Sequence, residues 1–184
     1  MTRAGPILAF VTLIAVAGLV PPVAWAAPPA GAATPLPADP YEHLRALALR
    51  IRPDEIGAAG SGVYGVVADL QVGGRRATLT VLADGEASLY LTDGRIIGGA
   101  ATPETAKAAA ILLDKARASL GELHAAADFP SPPAGEVRFQ VLTPGGVMVG
   151  GEAEAKLAGG GRPLSSLYAA AQAVAALAGA QARP

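Results

Sequence analysis

The sequence predicts an α+β domain built on a five-stranded antiparallel sheet, with a long central helix covering one face. Three observations carry that expectation. Short apolar runs alternate with period two and are joined by Asp-Gly or Gly-Gly turns, which allow only antiparallel neighbours. A well-capped helical segment from Pro103 to about Leu123 separates three such runs from two more. Helical spacing also occupies both ends of the folded part, so the order is α-βββ-α-ββ-α.

Residues 1–26 read as an address. Arg3 supplies a positive start and Ile7 to Val20 form an uncharged apolar run. Pro21-Pro22 break it, and Ala24 and Ala26 place small residues where a signal peptidase needs them. Cleavage is expected after Ala26, which would also remove Trp25, the single tryptophan. The apolar run is shorter than the roughly 20 residues of a spanning helix, so a retained anchor is the weaker reading. No twin arginine precedes it, so the general secretory route is expected, with a periplasmic or secreted product free of the membrane. Residues 27–40 are an Ala/Pro-rich linker too poor in large apolar groups to fold. One domain is expected over residues 41–180.

Within it, Tyr41 to Ile51 places Leu44, Leu47 and Ile51 at helical spacing, with Arg45 and Arg50 elsewhere on the wheel. A glycine-rich loop, Gly57 to Gly62, leads to strands at Val63–Val72, Ala77–Leu82 and Ala87–Leu91. Thr102-Pro103-Glu104 starts the central helix, with a hydroxyl cap, proline at the first position and an acid at the positive end of the dipole. Ala106, Ala109, Ala110, Leu113 and Leu120 should face the sheet, and Lys107, Asp114 and Lys115 the solvent. Asp128 to Gly135 is a connection. Val137–Leu142 and Val147 to about Glu154 form the second hairpin. Ser165 or Ser166 then caps an alanine-rich helix, Leu167–Leu177, closed by Gly179.

Composition limits the function. Hydrophobic residues make up 52% of the chain but aromatics only 4%, so the core must rest on small aliphatic side chains. The formal charge of −1, without a clustered basic face, argues against nucleic acid and anionic lipid as partners. Cysteine is absent, which excludes disulfides, thiolate catalysis and cysteine-ligated metals.

Motifs that resemble chemistry fail on context. Gly60 to Gly65 spells G-x-G-x-x-G, yet it precedes a strand, whereas a phosphate cradle must open a helix. His43 and His124 show no paired ligand spacing, and His124 is expected at the end of the central helix. No serine sits in a nucleophile elbow. Glu152 and Glu154 would share one face of a strand as a solvated edge. No catalytic residue, metal site or cofactor is assigned.

The strings Val63-Tyr64-Gly65-Val66, Leu82-Ala83-Asp84-Gly85 with Ser88-Leu89-Tyr90, Gly94 to Gly99, and Pro163 to Gln172 resemble an uncharacterised family of small bacterial proteins. The resemblance covers most of residues 42–178. It implies a single domain and carries over no functional residue, and at the level of fold the order α-βββ-α-ββ-α is similar to the profilin-like and roadblock-like group. Members of that family look cytosolic, so the signal peptide is a departure.

The leading expectation is a non-enzymatic module that binds a protein partner or forms a homo-oligomer, because the helices are small, smooth and alanine-rich. The alternative is a small-ligand binder or weak hydrolase at the Gly94–Gly99 loop, with Asp93, Arg95, Gly98, Gly99 and Gln172 as ligand-binding residues.

Overall fold

The computed structural model describes residues 39–98 and 102–181, which lie within one compact unit. The expected signal peptide with Ala24 and Ala26, the expected linker up to residue 38, and Gly99 lie outside the described residues.

Helix α1 (Pro40–Ala48) starts on Asp39, whose carboxylate accepts the Glu42 N–H at 3.1 Å, with Pro40 at the first helical position. Its buried stripe is Tyr41, Arg45 and Ala48. Leu44 is half-buried and Leu47 is 43% exposed. At 100° per residue, the helix is therefore turned by roughly a quarter revolution from its expected apolar stripe. Strands β1 (Gly65–Val72), β2 (Arg75–Leu82) and β3 (Ala87–Leu91) follow as a meander, and β4 (Ile96–Gly98) extends it.

Helix α2 (Pro103–Ala118) is capped by Thr102, whose hydroxyl accepts the Thr105 N–H at 3.2 Å. It stops at Ala118 and not at Leu123. A 3₁₀ turn, Leu120–Glu122, swings the chain into β5 (His124–Ala126). Its buried side is Thr105, Ala109, Leu112, Leu113 and Ala116, while Ala110 is exposed and Ala106 half-buried. The hairpin β6 (Glu136–Thr143) and β7 (Gly146–Ala153) leads to a short helix, α3 (Glu154–Ala158), in a stretch expected to be strand end and loop. Helix α4 (Ser165–Gln181) runs through Gly179, because Leu167, Ala171, Val174, Ala175 and Ala178 continue to bury a single side.

The α+β class holds, but the sheet has seven strands and not five. They run in the order β4-β3-β2-β1-β6-β7-β5, every pair antiparallel. The two additional strands, β4 and β5, form the edges and are three residues each, too short to display a readable alternation. The strand arrangement expected for a profilin-like or roadblock-like domain therefore does not describe this sheet.

Register assigns each side chain to a face. One face carries rows such as Leu89–Leu79–Ala68–Phe139, fully buried and apolar, beneath α2 and α4. The other carries Ser88–Thr80–Val67–Gln140–Val149–His124 and Tyr90–Thr78–Asp69–Arg138–Gly151. Helix α1 and the loop behind it cover the middle of this mixed face, where Ala48, Tyr64, Val67 and Leu142 form a small second core.

Candidate functional site

The residues expected to bind a ligand fall into two clusters. Asp93, in the turn between β3 and β4, accepts Arg95 Nε at 3.0 Å, the Arg95 backbone N–H at 3.2 Å and Arg75 Nη1 at 3.1 Å. The Arg95 hydrogen bonds hold the Asp93 carboxyl below the usual carboxylate range and raise the guanidinium in return. Gly98 lies in β4 with φ +111°, and a Cβ there would stand 2.3 Å from the Ala87 carbonyl oxygen. Close backbone approach explains this glycine without a ligand. Gln172, on α4, donates to the Tyr168 hydroxyl at 2.8 Å and lies 3.4 Å from Glu154 Oε1. Burial pushes the Tyr168 phenol up. Both clusters are satisfied internally, and the two surface grooves described in the structure are lined by other residues.

The remaining sequence candidates also find structural roles. Gly60 (φ +94°) turns the loop ahead of β1, and a Cβ on Gly65 would press to 2.9 Å from Leu142. His124 sits on edge strand β5, not at a helix end. Glu152 and Glu154 do not act as a pair. Glu152 ion-pairs with Arg162 at 2.8 Å and Lys156 at 3.6 Å, and the Arg162 hydrogen bond holds it below the usual range. Glu154 opens α3 and accepts the Tyr168 hydroxyl at 2.9 Å. Among the described residues no group of three or more His, Asp or Glu side chains is placed to hold a metal ion.

No sequence motif announces the buried polar network on the mixed face. Asp69, fully buried in β1, accepts four hydrogen bonds. Arg45 Nε and the Thr78 hydroxyl reach Oδ1, both at 2.8 Å, while Arg45 Nη2 and Gln140 Nε2 reach Oδ2 at 2.7 and 2.8 Å. The Thr78 hydrogen is committed to Asp69, so at 2.9 Å the Tyr41 hydroxyl must be the donor to Thr78. Burial disfavours the Arg45 charge, but its hydrogen bond to Asp69 and the nearby carboxylate outweigh that and raise it. Arg45 Nη1 also holds the Phe129 carbonyl at 2.6 Å, and Ser131 donates to Glu42 at 2.6 Å. The network thus pins α1 to the sheet and the Phe129–Pro133 connection to α1. In sequence, Arg45 and Asp69 look like ordinary surface charges.

Helix α4 differs from α1 and α2, both of which carry charged residues. This helix has 17 residues and no charged one. Between exposed Ser166 and Gln181 at its ends, the exposed positions Ala169, Ala173, Ala176 and Ala180 follow i, i+4, i+7, i+11 spacing and form one straight strip. An exposed helix ordinarily carries polar groups there. Helix α4 packs on β3 and on β4. Edge strand β4 in turn carries Ile96, 55% exposed, and no described strand pairs with its outer side. No family model matches the chain, and neither a known protein nor a solved structure is significantly similar to it.

Proposed function

We propose that this chain is an exported, non-enzymatic interaction module that packs on a second copy of itself or on a partner helix through the outward strip of α4. The observation that carries the reading is the charge-free strip Ala169–Ala173–Ala176–Ala180, whose small side chains let another backbone approach closely. The neighbouring β4 edge supports it, because no described strand pairs with its outer side and an open edge invites a further strand. Export rests on the three-part pattern of residues 1–26.

The test is light scattering of the purified protein over a wide concentration range, with a pull-down from envelope extract. Both use the wild type and Ala173→Arg as baits. Association or capture should be lost in Ala173→Arg, while the unfolding free energy changes by no more than about 0.5 kcal/mol, as is usual for exposed positions. A strict monomer that captures nothing would overturn the reading. So would an association indifferent to Ala173→Arg.

A further inference from the structure

The mixed face of the sheet does not end at the buried network. It continues across β6 and β7 to β5, and there it opens into a groove of about 330 Å³. The groove lies on the face opposite α4, so what it binds is independent of the association described above. Its polar walls are His124 on β5, Asp128 in the following connection, and Glu136 and Arg138 on β6. Part of its floor is Gly151. A Cβ at that position would lie 2.3 Å from the Val137 carbonyl oxygen, so the floor stays bare backbone.

Arg138 is the informative residue. It stands directly across the β1–β6 ladder from Asp69. The four hydrogen bonds that Asp69 already accepts fill the capacity of a carboxylate, so it has none to spare for a second arginine. Arg45 and Arg138 thus hold adjacent carbonyls, Phe129 and Pro130, but only Arg45 has a carboxylate gripped by two of its nitrogens. The Arg138 side chain makes one hydrogen bond, from Nη1 to Pro130 O at 2.8 Å, and a long ion pair from Nη2 to Glu136 Oε2 at 3.9 Å, which leaves Nε and part of Nη2 without a close acceptor. Its side chain is 24% exposed, at the groove. A planar fork with unused donors is a receptor for a carboxylate.

Two acids in the same groove repel a simple anion, and Arg138 repels a simple cation. A ligand bearing both charges satisfies all of them. We infer that the groove binds a small zwitterion, an α-amino acid or a dipeptide, with its carboxylate on Arg138 and His124 and its ammonium group on Asp128 and Glu136. The volume falls at the lower end of small-molecule sites, roughly 300–1,000 Å³, which suits a ligand of that size.

The experiment is calorimetric titration of the purified protein with alanyl-alanine and with its two singly charged analogues, N-acetyl-alanyl-alanine and alanyl-alanine amide. The zwitterion should bind about tenfold or more tightly than either analogue, since each lacks one charged hydrogen-bonding end. Arg138→Gln should abolish binding. Asp128→Asn, at an exposed side chain with no hydrogen bond in the structure, should weaken the zwitterion and leave the N-terminally acetylated analogue unchanged or improved. The inference is overturned if alanyl-alanine shows no saturable binding to the wild type, if either analogue matches it, or if binding survives both substitutions.

Discussion

The two faces of the sheet are held in different ways. Under α2 and α4, rows such as Leu89–Leu79–Ala68–Phe139 bury aliphatic and aromatic area that is indifferent to precise orientation. Under α1, cover depends on directed bonds. Arg45 reaches Asp69 with two nitrogens, Thr78 and Gln140 complete the carboxylate, and Tyr41 donates into the chain. Here the Thr80 hydroxyl and Gln140 Oε1 are buried without a hydrogen-bond partner, whereas the apolar face raises no such demand. The difference teaches that a small domain poor in aromatics can fasten a short helix with a few polar groups, provided nearly all of them are matched.

The strongest way to break the comparison is to damage each face once. Asp69→Ala leaves Arg45 buried and uncompensated and should lower stability by about 3–5 kcal/mol. Phe139→Ala opens a cavity in the apolar core and should cost about 3–5 kcal/mol as well. Chemical denaturation measures both. If Asp69→Ala proves neutral, the polar face does not hold α1.

A second, smaller effect separates the mechanisms. Replacing both charges, Arg45→Met with Asp69→Leu, should return stability to within about 1–2 kcal/mol of the wild type. What remains is the unpaired donors of Thr78 and Gln140. No second substitution of that kind can repair Phe139→Ala, because lost volume has no charge to remove. A double variant as unstable as Asp69→Ala alone would show that packing, not the unpaired charge, sets the loss.

The smallest expected effect is one of pH, and it belongs to the polar face. Burial raises Tyr41 and Tyr64 above the ordinary tyrosine value of about 10. The folded protein therefore favours the neutral phenols. The stability they contribute is complete below the ordinary value and is lost as pH rises through the raised folded-state values. Denaturation midpoints should fall on the alkaline side of about pH 10. Tyr41→Phe should shallow that fall while lowering stability at neutral pH, because Thr78 loses its donor. An identical alkaline slope in Tyr41→Phe would remove Tyr41 from the account.

What was readable in the sequence was whatever depends on neighbours along the chain. The Thr102-Pro103 helix start, the Asp84-Gly85 turn and the alternation from Ala77 to Leu82 announce their elements, because caps, turns and pleats act over a few residues. Three-residue edge strands have no such signature. β5 in particular takes residues from the end of a segment that looks helical, and is defined only by its pairing with β7.

The polar sites lay further out of reach. Arg45 meets Asp69 across 24 positions, and Gln140 meets it across 71. Nothing in the local pattern of Tyr41–Ile51 points α1 to bury an arginine while leaving Leu47 exposed. Arg138 keeps open donors only because the carboxylate across the ladder is already filled. By itself the sequence determined the existence of α1, α2 and α4, the hairpins and the α+β class, through bonds and burial repeated at fixed short spacing. Only the tertiary structure decided the number of strands, the orientation of α1 and which arginine is left with open donors. Those follow from distant groups competing for the same few acceptors.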